Sequence, residues 1–362
     1  MEASRFSLSL DELKTLAGDA LALAAKAGAS DSEAEVSQSF GQDVTVRHDA
    51  VETIEYTRDK GLSISVYFGQ QRGHASTSDL SPRAIADTVA AAVSIARHTA
   101  RDEFAGLADA DRLARDIPDL DLYHPWELPV DEAIALARRV EAAAFAVDAR
   151  ISNSEGATVS SHESQFAYGN SRGFLAGYPG SRHAISAALI AETPQGMQRD
   201  YWYSTARAAS ELLSPEVVGR RAGERTVRRL DGRRLKTCEV PVVFEAPVAA
   251  GLIGHFVSAV SGGSLYRRAS FLLDSLGREV FAPFITLREA PHLVRGLASA
   301  PFDHEGVATR ERDVVKDGVV QGYFLGSYSA RKLGMQTTGN AGGCHNLLVA
   351  GGNLDLAGLL KK

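Results

Sequence analysis

Residues 169–192 read GNSRGFLAGYPGSRHAISAALIAE, and two architectures compete for them. The run Gly169-Asn170-Ser171-Arg172-Gly173 matches GxSxG, the tight turn that presents a nucleophilic serine between a strand and a helix. That turn needs a helix directly after the serine, because the helix N-terminus helps build the oxyanion hole. The residues after Gly173 instead have strand chemistry and an early proline, Pro179. A hairpin loop with Asn170 or Gly173 at positive φ fits better, so the stretch reads as two antiparallel strands.

The surroundings extend that reading. Residues 156–170, 173–181, 183–192 and 197–207 form a strand meander with glycine and proline at the bends. A helical stripe of Leu136, Val140, Ala143 and Val147 precedes it, and a helix from Pro215 to about Leu230 closes the unit. Upstream, Ser9 and Glu12 form a capping box for a helix whose apolar face is Leu13, Ala17, Ala20, Leu21 and Ala24, ended by Gly28. Two strand-like runs come next at 42–57 and 61–69, the second alternating through Leu62, Ile64, Val66 and Phe68. Ser81-Pro82 then opens a helix with Ile85, Val89, Ala92, Val93 and Ala96 on one face. Residues 101–129 are acidic and proline-punctuated, which predicts a linker wrapping the surface. Further on, EVPVVFE at 239–245 reads as a strand, Pro247 starts a helix, and Asp317-Gly318 between apolar runs predicts a hairpin.

Helices and meanders without regular βαβ alternation predict an α+β fold of antiparallel sheets with flanking helices. The chain divides into three units: an N-terminal α/β subdomain at 1–120, a second α+β subdomain with the meander at 121–235, and a β-rich C-terminal domain at 236–362. The last residues, NLDLAGLLKK, read as the first turns of a helix without a stop signal, which predicts a truncated C-terminal domain.

Composition bounds the function. A chain of 362 residues with 44% hydrophobic and 23% charged content is that of an ordinary globular protein, without an apolar run long enough to span a membrane. The N-terminus lacks a secretory signal, and two cysteines far apart, Cys238 and Cys344, fit a reducing compartment, so a cytoplasmic location is expected. A net charge of −6 opposes general affinity for nucleic acid. The basic run Arg220, Arg221, Arg225, Arg228, Arg229, Arg233, Arg234 and Lys236 reads as a solvated helix, with Glu216 and Glu224 available for pairing. Cys344-His345 are sequence neighbours whose side chains diverge, which favours a small buried thiol over a catalytic pair.

LIGHFVSAV at 252–260 is an apolar helix with one histidine. A zinc helix needs two histidines one turn apart and a glutamate between them to activate water. From His255, the positions one turn on are Ser258, Ala259 and Val260, and one turn back is Gly251, so the helix offers at most one ligand.

Several stretches together resemble the TldD/PmbA family, named historically for modulation of DNA gyrase, and its PmbA (TldE) branch. They are residues 169–192, QRDYWYSTAR at 198–207, GLIGHFVSAVSGGSLYRRASFLLDSLG at 251–277, residues 296–346 through GNAGGCHN, and AGGNLDLAGLL at 350–360. The resemblance implies a cytoplasmic two-subunit protease. Its TldD branch binds zinc through an HExxxH helix and a later cysteine, and its PmbA branch pairs with it. On that helix the two histidine positions correspond here to Gly254 and Ala259, and His255 stands in the glutamate's place. The implied role is a non-catalytic subunit without a cofactor of its own. Zinc is expected in a TldD-like partner, and unfolded peptides are cleaved or matured in a chamber enclosed by both subunits. Cys344 lies before the region of the family's third ligand and is not its equivalent. Candidate chamber or interface residues are His255, Tyr266, Asp303, His304, Tyr328, Arg331 and His345. The alternatives are a protease acting by itself, a homodimer in isolation, and a DNA gyrase-associated regulator using the basic run.

Overall fold

The computed structural model describes residues 5–350 and 352–361, and the protein is α+β. The first residues of the N-terminal stretch and the last residue of NLDLAGLLKK lie outside the described residues. In chain order the main elements are α1 (Leu10–Lys26), β1 (Asp31–Arg47), β2 (Ala50–Phe68), β3 (Gln71–Thr77), α2 (Pro82–His98), α3 (Val130–Phe145), β4 (Ile151–Asn170), β5 (Leu175–Thr193), β6 (Gly196–Ala206) and α4 (Pro215–Arg228). The rest is α5 (Ala246–Ala259), α6 (Gly262–Tyr266), β7 (Leu287–Glu289), β8 (Arg312–Lys316), β9 (Val319–Val320), α7 (Ser327–Lys332), β10 (Leu347–Val349) and α8 (Leu356–Leu359).

Six long strands form one antiparallel sheet in the order β3-β2-β1-β4-β5-β6, so the first two sequence units share a single sheet through the β1–β4 pair. Along β1 the side chains alternate between two faces, as the pleat requires. Ala34, Val36, Phe40, Val44 and Val46 are buried on one face. There α1 and α2 pack over Leu62, Ile64 and Val66, while α3 and α4 pack over Val159, Ile185 and Leu189. Each such side chain contributes about 1.5–3 kcal/mol by leaving water. Between the two helix pairs runs a polar seam. Gln38 Oε1 accepts from Ser7 N at 3.1 Å, and the buried Glu163 accepts from Tyr123 Oη at 2.9 Å and faces Arg5 at 3.4 Å.

Helix starts match the sequence signals. The Ser9–Glu12 capping box is present, with Gly28 at φ 85°, and Ser81 and Ser214 cap α2 and α4 ahead of Pro82 and Pro215. The buried face of α3 is Ala133, Ala137, Val140 and Ala144, one position round from the stripe expected, because Leu136 and Ala143 flank the contact. The GxSxG run is a hairpin connection: Gly173 has φ 89°, β5 starts at Leu175, and Ser171 Oγ donates to Asp31 at 3.2 Å. No serine elbow is built there.

Other readings need correction. The run 42–57 is not one strand, because His48 and Asp49 both take positive φ and turn the chain between β1 and β2. Glu141 of α3 holds that turn by accepting from both of their backbone N–H groups at 3.0 Å. The bend expected near Pro179 is absent, and β5 runs through it with Pro179 opposite Gln165. EVPVVFE forms no strand. Val240, Val242 and Phe244 are exposed, and no described strand pairs with them. The 101–129 segment has no helix or strand of its own, yet it is anchored rather than superficial: Leu107, Leu113, Leu120, Leu122 and Leu128 are buried.

Most of the basic run is exposed, as expected of a solvated helix, and two of its arginines are also used within the fold. Arg221 and Arg225 lie over the Trp202 ring at 5.6 and 5.1 Å, and Arg225 also pairs with Glu245 at 2.7 Å and Asp200 at 3.6 Å. This ties α4 to the entrance of α5.

The C-terminal unit carries a small sheet in the order β10-β7-β8-β9. Asp317 and Gly318 form the expected hairpin turn at φ 50° and 82°. Beneath it lies a buried charge cluster. Glu289 accepts from His345 Nδ1 at 3.0 Å, Asn340 Nδ2 at 2.7 Å and Arg312 Nε at 2.8 Å. Burial alone would raise the Glu289 carboxyl, but the His345 hydrogen bond and the Arg312 charge outweigh it and hold the group at about 2.

The packing sets the cost of specific substitutions. A side chain at Gly219 would come 2.0 Å from the Val140 carbonyl oxygen, whereas one at the exposed helical Gly251 meets nothing within 4 Å. Gly219→Ala is expected to destabilise the fold by about 2–3 kcal/mol, and Gly251→Ala to stabilise it by about 1 kcal/mol, read as opposite shifts of the urea midpoint. Glu289→Gln is expected to cost about 3 kcal/mol at neutral pH by leaving the largely buried Arg312 guanidinium without its carboxylate. Since the folded-state value lies below the ordinary 4.5, that stabilisation is full above 4.5 and fades as pH falls toward 2. The gap in urea midpoint between the two proteins therefore narrows across that window.

Candidate functional site

The face of the large sheet away from the four helices is polar. On β1 it presents Glu33, Glu35, Ser37 and Ser39, opposite Ser65 and Ser63 of β2 and Tyr168 and Phe166 of β4. The C-terminal unit docks on this face through an aromatic cluster. Phe302 meets Phe166, Phe174 and Tyr178 with ring centroids 6.0, 5.0 and 5.5 Å away. Such edge-to-face contacts add directional preference to apolar burial.

Docking leaves a cleft of about 650 Å³ between β1, β2 and β3 on one side and residues 99–108, His304, Glu305 and Tyr328 on the other. A second cavity of about 300 Å³ continues from it over Ser37, Ser39, Lys60 and Tyr178, and the two share Glu35 and His304.

The carboxylates of the cleft differ in their commitments. Glu33 accepts from Tyr67 Oη at 3.2 Å and Tyr168 Oη at 3.0 Å, and Arg72 lies 3.6 Å away. Burial and the Glu33 charge push both tyrosine hydroxyls up, so they stay protonated donors. Asp102 accepts from Tyr328 Oη at 2.7 Å, with Lys332 at 3.8 Å. Hydrogen bonding to that carboxylate, with burial, pushes the Tyr328 hydroxyl up to about 12. Glu305 accepts from Ser327 N at 2.8 Å. Burial raises its carboxyl despite that bond. Glu35 is raised by burial, with His304 pulling it down and Glu33 pushing it up.

Of the residues singled out from sequence, the structure gathers five. Tyr328 and His304 line the cleft. Tyr266 packs edge-on against Tyr328 with centroids 5.8 Å apart. Arg331 clamps the cleft-forming segment by donating to Phe104 O at 3.2 Å, Gly106 O at 3.1 Å and Leu107 O. Asp303 is 2% exposed and organises the turn beneath His304, accepting from Glu305 N, Val307 N and Ala341 N. Burial and the Glu305 charge raise its carboxyl to about 6 against those three donors. Above it the His304 ring lies so close to Gly342 that a side chain there would sit 2.7 Å from the imidazole.

Two residues fall elsewhere: His345 sits in the Glu289 cluster, and His255 is exposed on α5. Sequence reasoning missed Glu33, Glu35, Tyr67, Arg72 and Glu305. The alternation DSEAEVSQSF at 31–40 is the signal that marks the first two, because acids and serines occupy every other position of a strand.

Among the described residues, no hydrolytic constellation is built in the cleft. Ser65 Oγ lies 3.2 Å from His74 Nδ1, but Arg72 also donates to that oxygen at 2.9 Å, and no described carboxylate orients the imidazole. Zinc does not fit α5 either. Gly254 and Ala259 carry no donor atom, Ala259 packs into the core with Phe256, and burial raises the Cys344 thiol away from the thiolate a metal needs.

Three consecutive family models match the chain: PmbA/TldA metallopeptidase domain 1 at 32–96, the central domain at 123–230 and the C-terminal domain at 237–362. The metalloprotease PmbA of Escherichia coli O157:H7 is 49% identical over 342 residues, covering 94% of this chain and 76% of that protein. A PmbA homologue of Haemophilus influenzae is 48% identical over 338 residues, covering 93% and 75%. Among solved structures, a protein of Bacteroides thetaiotaomicron named as a candidate modulator of DNA gyrase superposes with a TM-score of 0.91 at 28% identity, covering 97% of this chain and 80% of that one. TldE of Thermococcus kodakarensis shares the fold, with a TM-score of 0.80 at 18% identity over 95% and 80% of the two chains. By its sequence models, its relatives and its fold, the chain belongs to the PmbA/TldD metallopeptidase family.

Proposed function

We propose that this chain is the PmbA-branch subunit of a cytoplasmic peptide-cleaving complex, paired with a TldD-like subunit that holds the zinc. The observation that carries this reading is α5. Where the resemblance places two histidines and a glutamate, the chain has Gly254, Ala259 and an exposed His255. Without donor atoms there is no metal-bound water, so hydrolysis must come from the partner.

The chain's own contribution is to hold substrate. Unfolded peptides offer backbone groups and termini rather than a fixed surface, which suits open strand edges and polar clefts. β3 pairs β2 only from Leu62 to Phe68, which leaves the outer edge of β2 over residues 50–61 without a described partner strand. The polar sheet face supplies the cleft. No described helix is long and apolar enough to cross a membrane.

Co-purification with a candidate TldD-like subunit, followed by zinc counting and assay on an unfolded peptide, tests this proposal. Zinc should track the partner, and cleavage should require both chains and be abolished by a chelator. One tightly bound zinc per copy of the isolated chain, or chelator-sensitive cleavage by it alone, overturns the reading.

A further inference from the structure

The two-compartment cleft has open volume, a mixed lining and one acidic group left uncommitted. Tyrosines and Arg72 satisfy Glu33, Tyr328 and Lys332 satisfy Asp102, and Ser327 N binds Glu305. Glu35 has no hydrogen bond or ion pair among these contacts, although it stands on the central strand where both cavities meet and His304 projects opposite it. Two of the cations nearby are already engaged, Arg72 by Glu33 and Ser65 and Lys332 by Asp102, while Lys60 in the second cavity stands beside Asp59 and its charge lowers the Asp79 carboxyl. An incoming anion would meet Glu33, Glu35 and Glu305, whereas an incoming cation relieves their mutual repulsion.

The shape narrows the cation. Among the described residues no three His, Cys, Asp or Glu side chains converge as metal ligands do. The cleft is also far roomier than an ion shell, which at 2.0–2.6 Å bond lengths collapses onto its donors. A primary ammonium group differs: it has three divergent N–H donors and arrives attached to a chain that fills the remaining volume. Serines along the second cavity, Ser37, Ser39 and Ser164, offer hydroxyls to the peptide groups beyond the ammonium.

We propose that this cleft binds the primary ammonium group of a peptide, with Glu35 as its direct acceptor and the peptide chain continuing past His304 into the second cavity. The inference rests on the chain being a peptide-handling subunit, and it names the end of the substrate this subunit holds. The ammonium has two sources, the amino terminus and a lysine side chain, which share the same donor chemistry.

Fluorescence anisotropy with the isolated full chain tests it without the partner. Three C-terminally fluorescein-labelled alanine hexapeptides serve as probes: one with a free amino terminus, one acetylated, and one acetylated with a single internal lysine. At least one amine-bearing peptide should bind about tenfold more tightly than the acetylated lysine-free peptide, the scale of one hydrogen bond to a charged group. Whichever amine-bearing peptide binds more tightly identifies the source. In Glu35→Gln the preference should fall below about twofold on the same scale, while Glu132→Gln on the exposed start of α3 should keep it. Should Glu35→Gln fail to fold, competition on the unaltered chain decides: ethylammonium should displace the probe, and acetate at equal ionic strength should not. Equal binding of all three peptides, an undiminished preference in folded Glu35→Gln, or equal displacement by both small ions overturns the inference and leaves the partnership intact. Failure to associate with a TldD-like subunit, with amine preference retained, overturns the partnership and leaves the cleft assignment standing.

Discussion

The antiparallel pairing of β1 with β4 is the constraint on which the rest depends. It runs from Glu33 opposite Asn170 to Val46 opposite Ala157 without a register shift, and it joins two helix-and-hairpin units into one sheet. Because side chains alternate along a strand, this register decides at once what is buried and what faces the cleft. Val36 and Val44 go under the helices; Glu33 and Glu35 go to the open face. A slip of one residue would bury the acids under α1 and α2 and expose the valines, so the core enforces the site's chemistry. Gln38 and Gln165, both donating to Leu8 O at 2.6 Å, add a polar check at the middle of the ladder.

The second half of the site depends on the linker and the C-terminal unit arriving together. Arg331 donates to three carbonyls of the 104–107 segment while Tyr328 of the same helix binds Asp102, so one short helix fixes the whole rim. Leu113 bridges to Val307 just beyond, and Ala114 N donates to Gly306 O at 2.9 Å. The linker therefore acts as a strap between sheet and C-terminal unit, which explains its buried leucines. Asp303 then sets the height of His304 over β1 by holding backbone N–H groups from its own turn and from Ala341. A carboxyl raised to about 6 from an ordinary 3.8 costs the fold stability while ionised, so this group destabilises above about 6 and the cost is relieved as pH falls through that value toward 3.8.

The elements legible in the sequence are those whose signals are local. Capping by Ser9 and Ser81, the helix start at Pro215, the Asp317-Gly318 turn, and the refusal of Gly169–Gly173 to become a serine elbow are all decided within a few residues. The misreadings involve partners distant in sequence. His48-Asp49 reads as strand interior until Glu141 is seen to hold its turn from α3, and Pro179 does not break β5 because it lies where β5 pairs with β4 alone, the pairing with β6 starting only at His183. EVPVVFE has strand composition but no described neighbour to pair with, and composition alone does not build a ladder. Within the site, His304 and Tyr328 stood out as polar residues in ordered stretches. Glu35 did not, since its significance comes from what Tyr67, Tyr168 and Arg72 leave unpaired around it. That is a property of the assembled cleft.

A solitary histidine misleads for a related reason. His255 draws notice because imidazole on an apolar helix is unusual, but it is exposed, while the helix spends Phe256 and Ala259 on the core. Without donor atoms at Gly254 and Ala259, α5 is free from presenting ligands and keeps a packing role, tied at its start to α4 through Glu245 and Arg225. The chemistry this chain retains lies instead on the central strand of the large sheet, where a rigid element presents its acids with little freedom to move. Strand-borne groups hold position better than loop-borne ones. Under the proposed role that rigidity matters, because a peptide held in one orientation meets a reacting group with less entropy left to lose.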